Sequence, residues 1–349
     1  MSKNVVIIGA GVSGLTTGIC LLRSGYKDVL IIAKHLPGDL SSEYTSAWAG
    51  ASIITCAEHD DYRLHEIDLD SKKEFAYLAD NVPEAHVIRV NAVQYLRNPD
   101  MSDKEAYWTK KMYDNFQIIP KKDLIEEASH GYSFSSCTVT ANVPKYLKWL
   151  LETFKSLGGR IERQSVESIE QVIRQYQKAD IVINCTGLGS SKLKDVEDTT
   201  LCPVRGQTVL VHAPHIKTQY YDDGSVCWTY IIPRDDGQVI CGGTIDSVNR
   251  ATAPDPDIAK DILSRVYQLC PQITHGKGPE SFKIISHNVG FRPARKDGIR
   301  IEKETKFCSD GRKVIVCHNY GHGSHGYQSS WGSSQRVVKL LKDERISKL

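Results

Sequence analysis

A short β-type run at residues 4–8, apolar from Val5 onward, opens the pattern, and a helix-type stretch follows to about residue 23. A second apolar run spans residues 27–33. Between the first run and the helix lies Gly9-Ala10-Gly11-Val12-Ser13-Gly14. This spacing predicts a βαβ unit with GxGxxG at its first strand-to-helix turn, a dinucleotide-binding arrangement. The glycines permit a tight turn, admit a pyrophosphate to the backbone and let helix and strand pack closely. The helix N-terminus then faces the phosphates.

Further along, residues 36–57 are rich in Gly, Ser and Thr, and residues 58–135 are more charged. Within the latter, the periodicity predicts helices over 70–80 and 103–116. Residues 143–157 read as a long amphipathic helix closed by Gly158-Gly159. Strands are predicted at 160–166 and 179–185, the second ending in Thr186-Gly187-Leu188-Gly189, a second close approach of backbone to a ligand. Alternating runs at 207–211, 228–232 and 238–241, with Asp-Gly turns, predict a largely antiparallel sheet. Residues 257–269 are helical in pattern, and residues 282–292 lead into another strand.

The last third of this pattern carries the densest chemistry. The apolar run 314–317 precedes His318-Asn319-Tyr320-Gly321-His322-Gly323-Ser324-His325-Gly326-Tyr327-Gln328, and an amphipathic tail follows. A strand, a polar glycine loop and a helix can bring backbone to a ligand while aiming several polar side chains at it. Nucleotide-binding pieces therefore lie at the start, middle and end, with insertions between them. The expected division is residues 1–55, 141–195 and 286–349 as a discontinuous cofactor domain, and 56–140 with 196–285 as a substrate domain.

Composition narrows the class. The 349 residues suffice for two domains, and the net charge of +2 without a basic block gives no reason to expect nucleic acid or a membrane surface as partner. No segment approaches a transmembrane length of apolar residues. The ten cysteines form no CxxC pair and several lie inside apolar runs, so they read as reduced, buried thiols. No Cys/His spacing supports a metal site. The chain ends in Ser347-Lys348-Leu349, a peroxisomal address after the polar run 342–345. Lys34 stands where an acid often binds a ribose hydroxyl. A cation there is compatible with an NADP 2′-phosphate, and equally with a flavoprotein that holds the ribose by other groups.

The chain resembles the FAD-dependent D-amino-acid oxidases, a branch of the glutathione-reductase-like flavoproteins. The resemblance covers nearly its whole length. It rests on residues 9–14, Tyr44 to Ala51, Val182 to Gly189, Pro203-Val204-Arg205-Gly206-Gln207, Thr229 to Arg234, Val289 to Arg295 and the C-terminal loop. It implies an α/β fold: a Rossmann-like FAD-binding domain with an interleaved mixed α+β substrate domain. It also implies FAD as cofactor and a D-amino acid and O2 as substrates. The implied reaction passes hydride from Cα to the flavin and gives a 2-oxo acid, ammonia and hydrogen peroxide, chemistry suited to a peroxisome and to import through the C-terminal tripeptide. A homo-oligomer is compatible with these features.

The resemblance also assigns residues. Arg292 matches the arginine whose fork of donors holds the substrate α-carboxylate, and Tyr230 the tyrosine that contacts the same group. Ser324 and Gln328 match loop positions that face the substrate amine and α-carbon in fungal relatives. Cofactor contacts are expected from Gly9, Gly11, Val12, Ser13, Gly14, Lys34, Thr45, Ser46, Ala49, Gly50, Val166, Thr186, Gly187, Gly323, Gly326, Tyr327 and Gln328. Tyr220 or Tyr221 is the candidate for a second tyrosine from a short lid. Gly321-His322-Gly323-Ser324 resembles the loop of D-aspartate oxidases, which implies a preference for acidic substrates, with His322, His325 or Lys217 adding positive charge. Animal D-aspartate oxidases place an arginine after a Gly-Gly-Thr motif, where this chain has Ile245. A neutral D-amino-acid oxidase is the alternative, followed by an NADPH-dependent reductase motivated by Lys34 and a non-catalytic FAD-binding protein.

Overall fold

The computed structural model describes residues 3–343 except 56, 58–59, 98–109, 111–112, 114, 225–227 and 309, and leaves aside the side chains of residues 136–137. Cys56, Cys227, the C-terminal tripeptide and most of the expected helix over 103–116 therefore lie outside the described residues. Phe116, at the end of that stretch, begins a strand.

Two sheets organise the chain. The first has six strands: β1 (Asn4–Ile8), β2 (Asp28–Ala33), β7 (Arg160–Arg163), β8 (Ile181–Asn184), β14 (Arg300–Phe307) and β15 (Lys313–Tyr320), in the order β14-β15-β8-β1-β2-β7. All neighbours are parallel except β14 with β15. Parallel strands covered on both faces read as continuous apolar runs, which is why β1, β2 and β8 were legible. Val5, Ile7, Val29 and Ile31 point into a core with α1 (Val12–Arg23), α2 (Tyr62–Asn81), α3 (Val143–Ser156) and α6 (Ser330–Lys342). Val6, Ile8, Leu30 and Ile32 face the opposite core with α4 (Ile169–Gln175).

The second sheet has nine strands. β13 (Ile284–Arg295), β9 (Leu201–His212), β12 (Gln238–Gly242), β11 (Thr229–Pro233), β10 (Thr218–Asp222), β4 (Val87–Leu96), β6 (His130–Ala141) and β3 (Ser52–Ile53) follow in that order, with β5 (Phe116–Ile118) beside β6. The expected antiparallel pairing holds throughout except between β10 and β4, which run parallel. One face presents Val209, Val211, Ile231, Val239 and Cys241 to α5 (Pro256–Leu269). The other presents Leu210, Ile232, Ile240 and Tyr230 toward the first sheet's side of the molecule.

Several elements differ from the expectations. β7 stops at Arg163 rather than 166, and the expected boundary at 286 falls inside the continuous strand β13. β4, β6, β10 and β14 escape the sequence pattern. β14 carries charged residues at five of its eight positions and only Ile301 and Phe307 as apolar ones, so no period of two shows, and at a sheet edge its Glu and Lys blunt further pairing. β6 is built largely from Ser and Thr, whose hydroxyls bond backbone, as Thr138 Oγ1 does to Val90 O at 2.9 Å.

Trp331 is fully buried at the start of α6 and donates its indole N–H to Tyr146 Oη at 2.9 Å. Trp331→Ala is expected to cost about 3–5 kcal/mol, seen as a lower denaturant midpoint with an unchanged slope.

Candidate active site

β1 delivers its last residue to a turn that closes on itself. Gly9 has φ +110° and donates its N–H to Ile32 O at 2.8 Å. A Cβ on Gly14 would stand 1.9 Å from Gly9 O, and one on Gly9 would stand 2.5 Å from Cys185 O, so neither position accepts a side chain. α1 then begins at Val12 and Ser13 with Gly11 as its cap and no side-chain cap bond. Val12 N–H is taken by Ser46 Oγ at 3.1 Å. Thr186 and Gly187 follow the end of β8, where Thr186 Oγ1 donates to Asn184 Oδ1 at 2.8 Å.

Residues 44–50 join this turn to everything else in the site. Tyr44 donates its hydroxyl to Ala10 O at 2.7 Å, and Thr45 donates to Phe291 O at 2.8 Å. Ser46 O accepts the Tyr327 hydroxyl at 2.7 Å. Gly50 O accepts from Arg234 Nε and Nη2 at 3.1 and 3.0 Å, and Nη2 also reaches Ala49 O at 3.4 Å. Burial draws the Arg234 guanidinium down to about 10, the cost of surrounding a cation with carbonyls instead of a carboxylate. The expected contacts Thr45, Ser46, Ala49, Gly50 and Tyr327 are thus brought beside Gly9 to Gly14, with Gly323 and Gly326 in the same C-terminal loop as Tyr327. Val166 sits just past β7, packed on the core beneath α4. Lys34 instead forms an exposed ion pair with Glu43, whose other oxygen takes Lys192 at 3.1 Å. Lys34 first, then Lys192, holds the Glu43 carboxyl down to about 2. The cation that motivated an NADP reading is already neutralised by its neighbour.

The open face of the second sheet carries Arg292 and Tyr230. Tyr230 pairs with Gly242, Gly242 with Thr208, and Gly206 with Gly290, so these residues and Arg292 share one face. A Cβ on Gly242 would lie 2.2 Å from the Tyr230 ring, and one on Gly206 would lie 2.6 Å from Arg292 Nη1. Both side chains therefore lie flat on bare strand backbone. Arg292 Nη1 donates to Thr244 O at 2.9 Å and Arg205 O at 3.4 Å. Among the described residues no carboxylate pairs with it, so the rest of its fork is available to a bidentate anion. Trp48 packs over Gly290 on the same face, its Cβ 2.6 Å from where a glycine Cβ would stand.

The two candidate lid tyrosines separate by strand parity. Tyr221 pairs with Tyr230 and joins its face, while Tyr220 pairs with Ile231 and packs toward α5. Tyr220 is therefore on the wrong side of the sheet. Lys217 is exposed before the first residue of β10, four strand residues or about 13 Å from Tyr221. His322 is buried and contacts Ser333 Oγ at 3.2 Å; burial pulls it down to about 4. Burial lowers His325 as well. Both imidazoles are neutral at ordinary pH, so neither brings the positive charge expected of it. Ser324 is exposed between them.

Other groups here were invisible in the sequence. Gln219, on the Tyr221 face, donates Nε2 to Ser52 Oγ at 2.8 Å, while its buried Oε1 has no partner among the described residues. Gln328 donates Nε2 to Asp68 Oδ2 at 2.9 Å, which also accepts from Thr55 Oγ1 at 2.7 Å. Burial raises Asp68 to about 7. A polar residue inside an amphipathic helix or a β-strand sends no signal of such a role. The glycines within strands did: Gly206 and Gly242 mark close approaches of the kind strand glycines often serve.

The profile of the FAD dependent oxidoreductase family (DAO) matches residues 4–340. The chain is 38% identical over 340 residues to a D-amino-acid oxidase of Schizosaccharomyces pombe, covering 97% of this chain and 96% of the relative. It is 32% identical to a D-aspartate oxidase of Cryptococcus neoformans, covering 97% of each. A glycine oxidase from Geobacillus kaustophilus shares the fold at a TM-score of 0.76 and 18% identity, over 99% of this chain and 96% of that one. The residues present fit FAD: a glycine turn that admits no side chain at Gly9 or Gly14, at a helix N-terminus; a second glycine turn after β8; and a C-terminal glycine loop bonded to the first turn's neighbour Ser46 through Tyr327.

Two outcomes follow from this geometry. Folded Asp68 keeps its proton to about pH 7, whereas the unfolded chain releases it near 4, so this group makes stability fall as pH rises between those values. Asp68→Asn removes that loss, and its melting temperature relative to the unchanged protein is expected to be higher at pH 8 than at pH 5. Gly206→Ala displaces the Arg292 guanidinium while leaving the nucleotide turn alone. FAD content is expected to be unchanged and KM for substrate to rise about tenfold in steady-state assays.

Proposed function

The chain belongs to the DAO family of FAD-dependent oxidoreductases, with FAD as its cofactor, and from that premise we propose that it oxidises D-amino acids with uncharged side chains. The overall reaction takes a D-amino acid, O2 and water to a 2-oxo acid, ammonia and hydrogen peroxide. FAD, when bound, supplies the chemistry of accepting hydride from Cα and passing the electrons to O2. The protein's part is position. Arg292 binds the α-carboxylate through the nitrogens that its carbonyl partners leave over, and Tyr230 donates its hydroxyl to the same group. Held at that end, the substrate has its Cα–H fixed in one direction, and orientation of this kind accounts for much of a catalytic rate. No protein base is needed if the amine arrives neutral.

The observation that carries the uncharged preference is the state of the three groups expected to supply positive charge. His322 and His325 are neutral through burial, and Lys217 is exposed just before β10. A second substrate carboxylate would gain no ion pair from any of them. The 38% identity to a D-amino-acid oxidase supports the same reading. The acidic preference, with D-aspartate first, is the second reading. The exposed Ser324 hydroxyl and the 32% identity to a D-aspartate oxidase favour it.

A peroxide assay across D-alanine, D-methionine, D-aspartate and D-glutamate separates the two. The expected order of kcat/KM places D-alanine and D-methionine above both acids; D-aspartate ahead of all others would replace this reading with the second. Arg292→Ala is expected to lower kcat/KM by about 10²–10³-fold, as loss of a charge-paired anchor does, and near-normal turnover would refute its role.

A further inference from the structure

Asp68 is a carboxylic acid in an unexpected place. It lies on α2 and is 3% exposed. Oδ2 accepts from both Thr55 Oγ1 and Gln328 Nε2. Oδ1 has no hydrogen-bond partner among the described residues. Asp68 borders a cavity of about 10 Å³, the room one water molecule needs, lined also by Ile53, Thr55, Lys72, Tyr113 and Gln328. Burying a carboxyl in such a setting is costly, and the fold retains it where an apolar residue would pack.

Gln328 explains what the carboxyl does. A glutamine amide can present its oxygen or its NH2 in a given direction, and only its bonding partners decide which. Asp68 Oδ2 is an acceptor whether the acid is ionised or carries its proton on Oδ1. It therefore captures Nε2 in either state and turns Oε1 of Gln328 the other way. Thr55, donating to the same oxygen, keeps the carboxyl from rotating. We propose that Asp68 is a positioning residue that fixes the Gln328 amide so that its carbonyl, rather than its NH2, faces the flavin and substrate. The inference rests on the reading that the C-terminal loop borders the flavin.

The test is a double-mutant cycle read in FAD affinity, measured by quenching of flavin fluorescence on titrating apoprotein, together with the visible flavin spectrum. Asp68→Leu fills the space but offers no acceptor. It is expected to weaken FAD binding about tenfold and to shift the flavin bands, the effect of losing one well-placed hydrogen bond. In a Gln328→Leu background the same change is expected to add nothing. Asp68→Asn, which keeps an acceptor oxygen, is expected to restore most of the affinity. If Asp68→Leu does not fold, Asp68→Ser, whose hydroxyl falls short of Gln328, takes its place. Losses that multiply independently, an Asp68→Leu protein that binds FAD like the unchanged one, or an Asn variant as weak as Leu would each overturn the proposal. Failure of the oxidase reading has a different signature: unchanged protein that binds FAD but is not reduced by any D-amino acid.

Discussion

Residues 44–50 are the joint on which this structure depends. Their hydrogen bonds go to Ala10 and Val12 in the nucleotide turn, to Phe291 on β13, to Tyr327 in the C-terminal loop and to Arg234 beyond β11. These partners are far apart in sequence, and each bond is partly or fully buried, where an unmade bond costs its full desolvation. The segment thereby fixes the phosphate turn, the arginine-bearing strand and the glycine loop in one arrangement. The cofactor-facing and substrate-facing parts of the molecule cannot move independently without breaking several of these bonds together.

That joint gives the second sheet its division of labour. One face buries branched apolar residues against α5 and supplies rigidity. The other is pared down to glycine at Gly206 and Gly242, so Arg292 and Tyr230 recline on the backbone instead of standing away from it. A bidentate arginine is useful only if its plane is held, and here the strand surface beneath it and the carbonyls of Thr244 and Arg205 hold it. The imidazoles of the C-terminal loop complete the structure by packing, with burial keeping them uncharged.

Much of this was legible in the sequence because it is repetitive or local. The parallel strands are continuous apolar runs, and GxGxxG sits at a strand-to-helix turn. Thr45, Ser46 and Gly50 lie on one segment that also bonds Tyr327, and Arg292 shares a sheet face with Tyr230. What escaped depends on tertiary partners. Tyr220 and Tyr221 differ only in strand parity, which needs the register of β10 against β11. The charge of His322 depends on burial, and Lys34 loses its significance only when Glu43 is seen beside it. Asp68 and Gln219 are single polar residues within an amphipathic helix and a strand, and nothing local marks either.

In the proposed function, Arg292, Tyr230 and the flavin meet on one chiral substrate. The most direct measurement is anaerobic mixing of the FAD-bound protein with D-alanine and, separately, L-alanine, following the visible flavin absorption. The expected result is rapid bleaching with the D-enantiomer and none with the L-enantiomer. Flavin that stays oxidised with both, or bleaches equally with both, would contradict it.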